Sequence, residues 1–260
     1  MDSQQAVPGL EAALIAQAIR RRRKCMKQVQ TQGRGTSRLH LLLGTVIVGI
    51  VLAVLLEVIA QALPPHYSPL SQSESDLAVG PYGFLMAINF VIRGVLTLIF
   101  LVAFMRAVPK EGQSRSGLIL LGVSAIGKLI IAFVATDLTS PPHTIHGTIH
   151  ALVALASFFC GALGILLLSR SLRHVPNVRP SPRFLVGLAS VTLVWSVIVI
   201  VTVVVSTQIG VWGLLERIFD GLFYLWILIA SLGLWHYSSL EGTSEQRTFP
   251  HSAGEIESRR

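Results

Sequence analysis

Residues Leu39–Leu63 read LHLLLGTVIVGIVLAVLLEVIAQAL, and Glu57 is the only Asp, Glu, Lys or Arg in this run. An apolar run of about 20 residues is long enough to cross the roughly 30 Å hydrocarbon core of a bilayer as a helix. Similar runs follow along the chain at Tyr82–Val108, Ser116–Ala135, His143–Ser169, Phe184–Ser206 and Trp212–Tyr237. The chain is only 13% charged, whereas about a quarter of the residues of an average soluble domain are charged. The sequence therefore predicts an all-α integral membrane protein, a bundle of six transmembrane helices.

Lysine and arginine are unevenly distributed around these runs. Eight of them lie between Arg20 and Arg38, and others flank the second connection (Arg106, Lys110, Arg115) and the fourth (Arg170, Arg173, Arg179, Arg183). The connections 64–81, 136–142 and 207–211 hold none. Because basic connections stay in the cytoplasm, this alternation predicts that both termini are cytoplasmic, with the plasma membrane as the expected location. The net charge of +8 thus follows topology, and the partner it predicts is the lipid bilayer rather than a nucleic acid.

The chain divides into three segments on this interpretation. Residues 1–38 form a basic cytoplasmic tail, residues 39–238 the six-span membrane domain, and residues 239–260 a disordered cytoplasmic tail. The basic tail is interpreted as a solvated segment that sets topology, with a helix lying on acidic headgroups as the alternative.

Histidines and aspartates gather in the stretch between the third and fourth runs, TDLTSPPHTIHGTIH at residues 136–150. Ser140 followed by proline is a typical helix start, and a helix from there places His143, His146 and His150 on one face. The predicted topology puts Asp76 and Asp137 at the same, outer side of the membrane. Such a set matches a site for a divalent metal such as zinc, with a position left open for water. One hypothesis is therefore a metal-dependent hydrolase acting on a lipid or other membrane-associated substrate.

Two other interpretations of the histidines stay open. In the first, the histidines and aspartates cap helices and bond to one another without a ligand. In the second, two histidines bind a b-type haem, which needs axial ligands from different helices at matched depth. On the outer side His146 or His150 has only the loop residue His66 as a partner, while His40 and His236 are span ends. The haem interpretation is the weakest of the three.

A second set of polar residues lies inside the predicted spans: Glu57, Arg93, Lys128, Glu216, Arg217 and Asp220. Ionised groups are costly in a bilayer, so they are expected to face the bundle interior and to pair. Three bases and three acids make a balanced set. It predicts a proton or solute path in a transporter or, alternatively, an ion-pair network that fixes helix register in a non-enzymatic structural membrane protein.

Two motifs resemble one known family. A serine- and aspartate-containing loop runs into Gly80-Pro81-Tyr82-Gly83-Phe84-Leu85-Met86, and Thr136-Asp137 precedes His146-Gly147 and His150. Together they resemble the uncharacterised polytopic membrane family called domain of unknown function 998, over roughly residues 40–240. The resemblance implies a six-span integral membrane fold and brings no established activity.

Overall fold

The computed structural model describes residues 8–138, 144–175, 181–205 and 210–248. These residues form helices and connections without a strand. The helices are α1 (Pro8–Ala62), α2 (Gly83–Ala107), α3 (Arg115–Ile131), α4 (Ile145–Ser171), α5 (Pro182–Val204) and α6 (Trp212–Thr248). Short 3-10 helices lie at Ser75–Ala78, Lys110–Gly112 and Leu172–His174. The predicted all-α fold is confirmed.

Among the described residues, five helical segments are long and apolar enough to cross a membrane: Gly35–Ala62, Gly83–Ala107, Ile145–Ser171, Pro182–Val204 and Trp212–Ser239. The remaining helix, α3, has 17 residues, which gives a length of about 25 Å at 1.5 Å per residue. It ends at Ile131, four residues before the predicted end of the third span. The chain is therefore an integral membrane protein, and the count of six spans stays a prediction.

Each helix packs against the next helix along the chain, and α6 packs against α1, so the bundle closes as a ring. Aromatic side chains fill its interior, where Phe100 meets Trp226 edge to face with ring centres 5.8 Å apart. Large apolar side chains also cover the outside, among them Leu41, Leu52 and Val194. A soluble protein rarely exposes so much contiguous apolar surface, and lipid is the environment that suits it.

Helices α3 and α4 approach closely because glycines lie at their contact. A methyl group added to Gly164 of α4 would lie 2.9 Å from the backbone nitrogen of Leu121 in α3. Small residues allow this kind of close helix packing within membranes. The contact holds α3 firmly beside α4 although α3 is short.

The start of α4 differs from the prediction. The helix begins at Ile145, and its cap is Thr144, whose hydroxyl accepts a hydrogen bond from the backbone of Gly147 at 2.9 Å. The predicted start at Ser140-Pro141 was wrong, and residues 139–143 lie outside the described part of the chain. Asp137 explains the later start, because its carboxylate accepts hydrogen bonds from both the backbone and the hydroxyl of Thr144, each at 2.8 Å.

The terminal segments continue the first and last helices. The helix α1 already begins at Pro8, within the segment expected to be a basic tail. At the other end, α6 runs past the expected boundary at residue 238 and ends at Thr248.

Candidate functional site

Arg93 of α2 is the centre of a buried group of charged side chains. Its side chain is almost completely buried, with a residue exposure of 2%. One terminal nitrogen donates hydrogen bonds to Oε2 of Glu74 at 2.6 Å and to Oδ2 of Asp220 at 2.8 Å. The other donates to Oε2 of Glu57. One guanidinium thus joins α1, α2, α6 and the connection between α1 and α2, defined here as residues 63–82.

The α1–α2 connection folds inward over the end of the bundle. Its Glu74 is 1% exposed, and the backbone N–H of Glu74 donates to Oε2 of Glu216 at 2.8 Å. Arg217 donates to the carbonyls of Pro69 and Gln72 at 2.9 and 3.0 Å. These contacts satisfy backbone groups that the connection buries, and they attach it to the start of α6.

Tyr67 adds a further contact within this connection. Its hydroxyl donates to the carbonyl of Ser73 at 2.7 Å and accepts a hydrogen bond from Arg217. Burial raises the pKa of the Tyr67 phenol above its usual range, although the charge of Arg217 acts in the opposite direction. The phenol therefore stays protonated and remains a donor.

The two carboxyls of the connection differ in their electrostatic environments. Burial alone would raise the pKa of Glu74, but the charge of Arg93 and its hydrogen bond outweigh burial and hold this pKa below the usual range. Burial raises the pKa of Asp76, against the hydrogen bonds that its carboxylate receives from Ser73. Glu74 is thus an ionised partner of Arg93, whereas Asp76 closes a turn by exchanging hydrogen bonds with Ser73, each at 3.0 Å.

Lys128 of α3 lies across a small cavity from this cluster. It is 3% exposed, and its ammonium lies 4.7 Å from the ring centre of Phe223 and 3.4 Å from the hydroxyl of Ser124. Within the described part of the chain it forms no salt bridge. The cavity has a volume of about 10 Å³. Its polar lining comes from Ser75, Arg93, Lys128, Glu216 and Asp220.

The predicted metal site is not confirmed. His150 is buried, and its Nδ1 donates to the carbonyl of Val134 at 2.7 Å, so a neutral ring accepts at Nε2 from the hydroxyl of Ser75 at 2.9 Å. Asp137 caps α4 through Thr144. The described residues contain no group of three or more His, Cys, Asp or Glu side chains placed to hold a metal ion.

The other residues predicted as metal ligands do not lie together either. His146 is exposed on α4, Asp76 bonds to Ser73, and His143 lies outside the described residues. For Asp137 and His150 the contacts match the interpretation in which these residues cap helices and form hydrogen bonds without a ligand. Asp137 caps α4, and His150 fastens the α1–α2 connection to α4.

The second predicted set does come together around Arg93. Glu57 and Asp220 bind Arg93 directly, and Arg217 lies 3.7 Å from Glu57. The sequence interpretation missed Glu74, because a serine-rich loop between two spans is usually solvated. With Glu74 included, the set has four carboxyls and three bases, so it is not the balanced set that was predicted.

A comparison with known families gives one result. The family model described as "Protein of unknown function (DUF998)" matches residues 47–233. No curated protein and no solved structure matches the chain.

Proposed function

Because the chain belongs to the DUF998 family, whose description assigns no activity, we propose its function from the charge cluster itself: a non-enzymatic carrier that moves protons, alone or with a solute. In this proposal the α1–α2 connection is a gate closed over the cluster from the outer side. The observation that carries the proposal is the contact of the buried Glu74 carboxylate in that connection with Arg93 in α2, at 2.6 Å.

The cost of burying charge supports a functional role. A buried ion pair seldom stabilises a fold more than well-packed apolar side chains of the same volume. Ionisable groups within membrane segments are rare and usually belong to ion or proton paths. Here a guanidinium, an ammonium and four carboxyls lie buried, and Arg93, Lys128, Glu216 and Asp220 line one cavity. A cluster that only fixed helix positions would not need so many charges.

The contacts of the α1–α2 connection support its role as a gate. Its attachment to α6 and α4 is polar, through Glu216, Arg217 and His150. Its buried apolar contact is a small one, in which Leu77 packs with Met86 and Ile131. Hydrogen bonds of this kind exchange readily with water when a segment moves outward, whereas a connection held by a large apolar contact would expose that surface. In the proposal, the connection folded over the cluster corresponds to a state of the carrier in which the gate is closed.

The proposed topology has six spans with both termini in the cytoplasm and the plasma membrane as the location. The alternation of basic and non-basic connections supports it. The position of Lys128 supports counting α3 as a span, because this helix carries the buried ammonium between α2 and α4. Residues 39–238 then form the membrane domain, residues 1–38 and 239–260 are its cytoplasmic ends, and the bilayer is its partner.

A structural membrane protein is the second candidate, and the three ion pairs of Arg93 favour it. They join α1, α2, α6 and the connection, which is the arrangement expected of a network that fixes helix register. In this case the charges stabilise the fold and move nothing.

Proton flux into sealed proteoliposomes separates the two candidates. A pH-sensitive dye inside the vesicles reports flux under an imposed pH gradient, with amino acids, sugars and organic ions added in turn. A carrier gives flux under at least one condition, abolished by Lys128→Met and retained by Arg106→Met, a matched change of an exposed base on α2. Absence of flux under every condition, from protein that is folded and correctly inserted, contradicts the carrier and favours the structural role.

A further inference from the structure

The cavity next to Asp220 has the size and lining of a site for a single water molecule. Its volume of about 10 Å³ is close to the smallest that holds one water, and a stable buried water needs two to four polar partners. Ser75, Lys128 and Asp220 provide donors and acceptors on different sides of this space. An apolar cavity of the same size would stay empty.

Asp220 has one satisfied and one unsatisfied carboxyl oxygen. Oδ2 accepts a hydrogen bond from Arg93 at 2.8 Å. Oδ1 is buried and has no hydrogen-bond partner in the described part of the chain, in a residue that is only 7% exposed. A buried carboxylate oxygen without a donor is costly. A proton on Oδ1, donated onward to the cavity water, removes that cost.

The charges that face Asp220 do not balance. The charged groups that interact with Asp220 are Glu57 on α1, Arg93 on α2, Glu74 in the α1–α2 connection, Lys128 on α3 and Glu216 on α6, beside the uncharged phenol of Tyr224. Arg217 joins this group through Glu57, which lies 3.7 Å away. The nearest titratable group of α4, His150, is neutral when Nε2 accepts from Ser75. Four carboxyls including Asp220 face three bases, so one negative charge is left over among the described groups. Uncompensated buried charges are neutralised by taking up a proton.

The other three carboxyls already have donors. Glu57 accepts from Arg93 and from Gln61, the latter at 2.8 Å. Glu74 accepts from Arg93 at 2.6 Å, and Glu216 accepts from the backbone of Glu74 at 2.8 Å. Among the described residues, Oδ1 of Asp220 is the buried carboxylate oxygen of this cluster that has no hydrogen-bond partner. A proton there adds a hydrogen bond to the cavity water.

We infer that the Asp220 carboxyl and the adjoining cavity form a binding site for one exchangeable proton, held on Oδ1 and passed to and from a water molecule in the cavity. The inference deepens the proposed carrier function by locating the ion, and it rests on that function for the use to which the proton is put. On binding, the Oδ1–H bond forms as an O–H bond of a protonated cavity water breaks. Release reverses the step, and the positive charge of Lys128 favours release.

A metal cation suits this site less well than a proton. It would require a shell of oxygen ligands in a space for one water, beside the positive charges of Lys128 and Arg93. A proton needs one lone pair on the carboxyl and one acceptor in the cavity.

Infrared spectroscopy of the full-length protein in detergent tests the site. A protonated carboxyl has a carbonyl stretching band that an ionised carboxylate lacks and that shifts when H₂O is replaced by D₂O. The wild type is expected to show this band at neutral pH, Asp220→Asn to lose it, and Glu111→Gln, which changes an exposed carboxyl, to retain it. Lys128→Met removes one base, so the band is expected to grow about twofold.

The outcomes separate this inference from the carrier proposal. No band in the wild type, or an unchanged band in Asp220→Asn, overturns the proton site. If Asp220→Asn does not fold, wild-type protein made with heavy-carbon-labelled aspartate replaces it, and a band that fails to shift assigns the proton to glutamate and overturns the site. If sodium raises the unfolding temperature of the wild type and the wild type shows no protonated-carboxyl band, the site binds a metal cation, and the proton site is overturned. A band that behaves as expected in protein without proton flux leaves the site standing and refutes the carrier alone.

Discussion

Replacing Arg93 by methionine is the most informative perturbation of the charge cluster. Methionine is shorter than arginine but has a similar volume and fits an apolar interior, so the change removes the charge and its donors without opening a large cavity. Three carboxyl groups, those of Glu57, Glu74 and Asp220, lose their common donor. We expect a large loss of stability, because the carboxylates are left buried without compensation.

The size of the loss follows from the burial of the contacts. Removing one partner of a buried ion pair costs about 3–5 kcal/mol. Arg93 has three such partners, but the carboxyls limit the cost by taking up protons, so the expected loss stays near this range. At roughly 2–4 °C per kcal/mol for a domain of this size, the midpoint of thermal unfolding falls by about 6–20 °C. The loss is smaller at acidic pH, where the carboxyls are protonated in both proteins.

Thermal unfolding in detergent, followed by near-ultraviolet circular dichroism, measures the effect. The matched control is Arg106→Met, which removes an exposed base from the last turn of the same helix and is expected to leave the midpoint unchanged. If the unfolding midpoint of Arg93→Met equals that of the control within error, Arg93 does not pair with buried carboxyl groups, because leaving such groups unpaired would lower the stability measurably. A loss that does not shrink at acidic pH would refute its electrostatic origin.

Three further predictions concern other parts of the bundle. His150→Ala removes two buried hydrogen bonds and is expected to lower the unfolding free energy by about 1–3 kcal/mol, whereas alanine at the exposed His146 leaves it unchanged. Equal losses, or stoichiometric metal in the parent protein by elemental analysis, would contradict the role of His150 in fastening the α1–α2 connection to α4. Gly164→Ala forces a methyl group against α3 and is expected to lower the unfolding free energy by about 1–3 kcal/mol. Alanine at Gly187, which has open space around it, is expected to leave it unchanged. Chemical denaturation of both variants measures the difference, and equal unfolding free energies would contradict the close contact of α3 and α4. The pair of Glu74 with Arg93 stabilises the fold above about pH 4.3, the ordinary pKa of glutamate, and this contribution is lost as the pH falls through the lowered pKa of Glu74. The stability difference between wild type and Glu74→Gln should therefore shrink below that pH, and a constant difference would contradict the lowered pKa.

The helical membrane fold could be predicted because its signal is local. A run such as Leu39–Leu63 cannot be buried by a chain of this size in any other way, and the helix in the structure covers it as far as Ala62. The third span was predicted too long, because the apolar residues continue from Leu129 to Ala135. The helix ends at Ile131, and the carbonyl of Val134 turns to accept a hydrogen bond from His150. That contact lies sixteen residues away, so hydropathy carries no trace of it.

The site could be predicted only in part, for a similar reason. Charges inside apolar runs are conspicuous, and Arg93, Glu57 and Asp220 do meet. Glu74 was missed because its neighbours are serines and nothing local distinguishes a loop that folds inward from a solvated one. The number of charged residues inside the spans gave no reason to look for another acid, because three bases and three acids already balanced.

The metal hypothesis rested in part on where α4 begins, because His143 belongs to the helix only if it starts near Ser140, whereas His146 and His150 lie on α4 in either case. Ser140-Pro141 and Thr144 are both acceptable helix starts by local chemistry. Asp137 decides between them by accepting two hydrogen bonds from Thr144. The same bonds use a carboxylate that the hypothesis assigned to a metal.

A double-mutant cycle between Glu74 and Arg93 tests the central claim most directly, because that claim is the contact of the α1–α2 connection with α2. Unfolding free energies are measured for the wild type, Glu74→Gln, Arg93→Met and the double variant. A contact at 2.6 Å between two buried charges predicts a coupling energy of about 1–3 kcal/mol, in line with residues that touch within one network. A coupling energy near zero would mean that Glu74 does not reach Arg93, and the connection would then not close over the cluster.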